Sequence, residues 1–182
     1  MLKFSILLNS SVTFLILILN FSFKIYLARE FSQENLVVYY TITDIISLIV
    51  RIFIGYKDAL TTIYNKTKYK LKVMRTFTVF FIWVILLVSF LILPLITNFY
   101  LVEKIENFQL SWWYISLLFL SMNFVSYYTY MFLVTKHYKL ISINDFLKGL
   151  SLIGMILFLY IIIEMDANYK TLIIAAILSN FL

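Results

Sequence analysis

Twenty consecutive residues, Thr78 to Thr97, carry no charge. At about 1.5 Å of helical rise per residue such a run reaches about 30 Å, the thickness of a bilayer's hydrocarbon layer. It belongs to a series. Apolar runs predict helices at 4–27, 36–62, 76–97, 112–134, 144–163 and 171–182, joined by short polar links. The chain is 63% hydrophobic and 13% charged, about half the charged share of a soluble domain. Together these features predict an all-α fold: a single polytopic transmembrane helix bundle of about six helices, multi-pass in a cell membrane. The first run follows only Lys3, is longer than a signal-peptide core and lacks a clear small-residue cleavage site, so it reads as an uncleaved helix. The last run has 12 residues to Leu182 and covers only about 18 Å, so the sixth helix is expected to be incomplete.

The net charge of +6 is unevenly spread. Lys66, Lys68, Lys70, Lys72 and Arg75 fall between Tyr64 and Arg75 with no acid among them, and Lys136 and Lys139 form a second basic link. Placing both links in the cytoplasm puts ten cations inside (with Lys3, Lys57 and Lys148) and four outside (Lys24, Arg29, Lys104, Lys170). That asymmetry predicts a cytoplasmic amino terminus and an inner-membrane location. The loop from Lys66 to Arg75 is expected to touch anionic lipid headgroups, each charge contributing about 1 kcal/mol. Nucleic acid is not an expected partner. Cysteine is absent and histidine occurs once, at His137, so neither thiolate chemistry nor a histidine metal site is available, and no cofactor is expected.

The stretch from Leu36 to Thr62 is apolar yet holds Asp44 and Arg51. Their spacing of seven residues is nearly two helical turns, about 10.5 Å, and places both on one face. Ionisable groups at membrane depth cost several kcal/mol unless they meet protein, water or ligand, which makes this face the candidate site. Arg51 is a candidate anion-binding residue, because guanidinium suits bidentate phosphate recognition. Asp44 reads as an ion-coupling residue or as half of a structural pair, with either Lys24 of the first helix or Arg51 as partner. Polar residues within the other runs, Asn20 in the first and Asn123 in the fourth, are candidate substrate-binding residues of a cavity, and Asn20 alternatively faces a neighbouring helix. Pro94, near the outer end of the third run, is expected to kink or end that helix. Trp112–Trp113 and Tyr127, Tyr128 and Tyr130 are placed at interfaces.

The run Leu27-Ala28-Arg29-Glu30-Phe31-Ser32-Gln33-Glu34-Asn35, followed by Tyr39-Tyr40 and by Gly55-Tyr56-Lys57-Asp58-Ala59-Leu60, resembles the start of polysaccharide flippases of the multidrug/oligosaccharidyl-lipid/polysaccharide exporter superfamily. It departs from their pattern at Val37, where a glycine is usual. The resemblance implies one half of a transporter of about 12–14 helices built from repeated bundles. It implies alternating access that moves undecaprenyl-diphosphate-linked oligosaccharide from the inner to the outer leaflet, alongside proteins of polysaccharide assembly. Arg51 would then belong to a cationic cavity for the lipid diphosphate.

Two other functions fit the same residues. A proton- or sodium-coupled drug antiporter of that superfamily would use Asp44 as its ion site. A membrane enzyme of envelope polysaccharide assembly would need a catalytic loop; the longest link, Asn98 to Ser111, has Glu103 and Glu106 but no histidine, so a non-enzymatic role is expected.

Overall fold

The computed structural model describes the backbone of residues 2–52, 54–102 and 111–181, and the side chains of residues 11, 14–51, 58–102 and 111–181 among them. The described residues form helices and no strand. In chain order these are α1 (Leu2–Glu30), α2 (Gln33–Ile52), α3 (Ile54–Lys66), α4 (Lys70–Leu101), α5 (Trp112–Val134), α6 (Tyr138–Ile162) and α7 (Tyr169–Phe181). Three of them, α4, α5 and α6, are long and apolar enough to cross a membrane.

Each apolar run is helical, and α5 has the predicted bounds. The stretch expected as one helix over 36–62 is helical on both sides of residue 53, as α2 and α3, and residue 53 itself lies outside the described residues. One difference matters: the helices run into the basic link. Only Thr67, Lys68 and Tyr69 lie outside helix there, so Lys70, Lys72 and Arg75 stand on the first turns of α4. Lys and Arg are good helix formers, and nothing in that segment breaks a helix.

The chain divides into two compact units, one of Met1–Tyr40 with Met131–Leu182 and one of Thr41–Tyr130. In the first, α6 packs on both α1 and α7. Helix α7 is buried around nearly its whole circumference, from Leu172 and Ile173 to Ala175, Ala176 and Ile177. Its small residues let neighbouring backbones approach closely. The Ser151 hydroxyl donates to the Ser179 carbonyl at 3.0 Å, tying α6 to α7. Asn168 caps α7: its Oδ1 accepts from the Thr171 N–H at 3.0 Å, satisfying one of the donors that a helix start leaves unpaired. Asn35 at the start of α2 adds a second tie, donating to the Ala167 carbonyl and accepting from the Tyr169 N–H, both at 3.3 Å. Tyr160 of α6 packs its ring 5.8 Å from Phe31.

Just past the end of α5 lies Lys136, whose φ of 62° is left-handed. The His137 N–H reaches the Phe132 carbonyl at 2.8 Å and the Lys136 N–H reaches that of Leu133 at 3.1 Å, the paired bonds of a Schellman ending. Glycine is the usual occupant, because a Cβ there costs about 1–2 kcal/mol. Lys136→Gly is expected to raise stability by about 1 kcal/mol, read as a higher thermal midpoint in detergent.

The second unit is built on α4 against α5. Phe81, Ile85 and Val88 form the buried stripe of α4, with Ile115, Leu118 and Phe119 buried on α5. Tyr127 and Tyr130, expected at an interface, belong to this packing: their rings lie 5.7 and 6.3 Å from that of Phe81. The Thr78 hydroxyl donates to the Met74 carbonyl at 2.9 Å and so accepts from the Tyr127 hydroxyl at 2.8 Å. At the other end of α5, the rings of Trp112 and Trp113 stack 3.9 Å apart, with Phe90 edge-on to both.

Pro94 neither ends nor interrupts α4. The helix widens into π turns at Val88–Ile92 and again at Thr97–Leu101, and the Leu93 N–H bonds five residues back, to Val88. An ordinary α turn would drive the proline ring into the carbonyl four residues earlier; a wider turn makes room. In this register the amide opposite the Ser89 carbonyl would belong to residue 94, which has no N–H. The Ser116 hydroxyl of α5 takes its place, donating to that carbonyl at 2.9 Å with both residues buried.

Candidate functional site

Helix α2 has two contrasting faces. Ile42 and Ile46, one turn apart, are fully buried. Asp44 lies about 200° around the helix from Ile42, on the opposite side, and Arg51 shares its face. Both are exposed, as are Val37 and Leu48 on the same stripe. Seven-residue spacing therefore does what the sequence predicts for these two charges. The alternation of Ile42 and Ile46 with Asp44 turns them away from the packed side, because a helix buries its widest uninterrupted apolar stripe.

No ion pair joins Asp44 to Arg51 among the described residues. With about 10.5 Å of rise between their Cα positions, two turns of backbone separate them. The arrangement can hold a cation or proton at Asp44 and an anion at Arg51 as separate events. A guanidinium with no carboxylate partner keeps its five donors available for phosphate oxygens.

The other candidates stand on other helices. Asn20 and Lys24, four residues apart on α1, are both exposed and belong to the first unit. Asn123 belongs to the second unit and is fully buried. Its Nδ2 donates to the Phe119 carbonyl one turn back at 2.8 Å, and its Oδ1 has no hydrogen-bond partner among the described residues. It therefore sits in the helix packing and not on the exposed face of α2. A buried amide oxygen without a donor costs about 1–3 kcal/mol. Ser89, whose hydroxyl is also buried without a partner, went unnoticed in the sequence together with Ser116. The signal that could have pointed to them is Pro94, which must leave a carbonyl unpaired some turn earlier.

Among the described residues no three His, Cys, Asp or Glu side chains converge on a metal-sized site. His137 lies exposed in the turn after α5, its Nδ1 3.0 Å from the Thr135 carbonyl. The side chains of Lys3 and Lys57, and residues Glu103, Lys104 and Glu106, lie outside the described residues. Comparison with known proteins adds nothing to these features: no family model matches the chain, and neither a curated protein nor a solved structure is significantly similar to it.

Proposed function

We propose that this protein is a multi-pass transporter of the cytoplasmic membrane that moves an undecaprenyl-diphosphate-linked oligosaccharide from the inner to the outer leaflet, with no catalytic step of its own. The observation that carries the reading is the exposed face of α2 bearing Asp44 and Arg51. Bare charges cannot face hydrocarbon, so at membrane depth this face meets water or an anionic ligand. A diphosphate satisfies Arg51, and the sequence resemblance over Leu27 to Leu60 supports a lipid-linked sugar as its carrier. Large apolar side chains exposed along α1 and α4, such as Phe14, Phe21, Trp83, Leu91 and Phe99, fit a surface solvated by lipid. The test is a proteoliposome assay in which a lipid-diphosphate-linked oligosaccharide, placed in one leaflet, becomes accessible to a glycosidase on the other side. Transfer no faster than in protein-free vesicles would overturn the reading.

The proposed topology keeps the amino terminus and the Lys66–Arg75 segment cytoplasmic. Because the chain has no cysteine, single cysteines report sidedness cleanly. Lys68→Cys is expected to react with an impermeant maleimide only in inside-out vesicles, and Asp166→Cys only in intact cells. Labelling of both from one side would refute the topology. The exposed Asp44 carboxylate also favours a second reading, a proton- or sodium-coupled antiporter. In that case Asp44→Asn abolishes drug-driven cation flux, whereas a flippase built on Arg51 continues to move its lipid.

A further inference from the structure

Opposite its packed stripe, α4 presents a second one. Among the described residues, Lys72, Arg75, Thr76, Val79, Phe80 and Trp83 line an open cleft of about 580 Å³. Their spacing of three and four residues puts them on one side of the helix, over a length of about 16 Å. The buried Phe81, Ile85 and Val88 lie on the other side. The cleft has two halves. One end carries two cations and a hydroxyl; the other is apolar and aromatic, and Trp83 is 69% exposed.

We infer that this cleft is a binding site for one anionic glycerophospholipid of the surrounding leaflet. The phosphate sits between Lys72 and Arg75 with the Thr76 hydroxyl as a further donor, and an acyl chain lies along Val79, Phe80 and Trp83. Charge complementarity selects the headgroup, since no acid lies between Tyr64 and Arg75 to neutralise the cations. The continuous apolar half selects a lipid over a free anion, which would leave two turns of apolar surface uncovered. Trp83 stands about 16 Å below Lys72, the depth of an acyl chain and not of a headgroup. The neighbouring cations differ: Lys70 places its Nζ 5.2 Å over the Tyr64 ring, a cation–π contact that occupies it, and Lys66 and Lys68 lie outside the cleft. The site is therefore local and saturable, unlike the diffuse attraction of a basic loop.

This inference rests on the reading that α4 crosses a membrane, and the test separates the two. The full chain carrying Trp112→Phe and Trp113→Phe, so that Trp83 is the only tryptophan, is reconstituted in vesicles containing either brominated phosphatidylglycerol or brominated phosphatidylcholine mixed with unbrominated lipid. Trp83 fluorescence should be quenched by both, and more at equal mole fraction by phosphatidylglycerol. The apparent preference should fall about fivefold or more for each cation removed in Lys72→Gln and Arg75→Gln, and clearly less in Lys66→Gln and Lys68→Gln, which weaken only the general field of the basic segment. Equal quenching by the two lipids in the parent protein would overturn the headgroup site while leaving the membrane reading intact. An equal loss in the Lys66 and Lys68 variants would reduce the site to a diffuse field and likewise overturn it. Absence of quenching by either lipid would overturn the membrane reading itself.

Discussion

Arg51→Ala is expected to lower the initial rate of lipid-linked oligosaccharide transfer by about tenfold or more at subsaturating substrate. A hydrogen bond between charged partners contributes about 1.5–3 kcal/mol, and the alanine variant would lose the whole of the proposed guanidinium–phosphate interaction. The fold should be spared. Arg51 is exposed, and no ion pair with Asp44 holds it among the described residues, so elution as a monodisperse species and the thermal midpoint should match the parent protein. Arg51→Lys should recover part of the rate, because it keeps the charge and loses the planar fork. The ordering Arg over Lys over Ala is the signature of anion recognition. Wild-type transfer by the alanine variant would remove Arg51 from the site, and equal loss in the lysine and alanine variants would point to a steric role in its place.

The second large effect concerns stability. Ser116→Ala should destabilise the second unit by about 1–3 kcal/mol, since it strips the only donor shown for a buried carbonyl and leaves Ser89 O unsatisfied. The cause assigned here, a π turn placed just before a proline, makes a sharper claim testable by a double-mutant cycle. Pro94→Ala restores an amide at the position that faces the Ser89 carbonyl in the π register. In that background Ser116→Ala should cost clearly less than in the parent chain. Unfolding in mixed detergent micelles would measure all four proteins. Strict additivity would show that the Ser116 bond and Pro94 are unrelated, and the explanation would fail.

Much of this was legible in the linear chain because it depends on local physics. An uncharged apolar run of about twenty residues is too long for an ordinary strand and satisfies its own backbone hydrogen bonds as a helix, and the Trp112–Val134 helix kept both predicted ends. A seven-residue spacing fixes Asp44 and Arg51 on one face of any α-helix. These 182 residues carry no thiol, and their one histidine cannot form a histidine metal site alone, whatever they fold into.

Three decisions belonged to the tertiary structure. The spacing of Asp44 and Arg51 did not say whether their face would be covered; burial of Ile42 and Ile46 on the opposite side settled it and left both charges exposed. Asn123 looked like a cavity residue by polarity alone, yet its environment is set by partners distant in sequence, and it is enclosed in helix packing with its amide turned back on Phe119. The course of α4 past Pro94 depended on Ser116, 27 residues from the carbonyl it serves. Propensity and spacing act within a few turns of one helix, whereas burial and the pairing of a freed carbonyl depend on which helices meet.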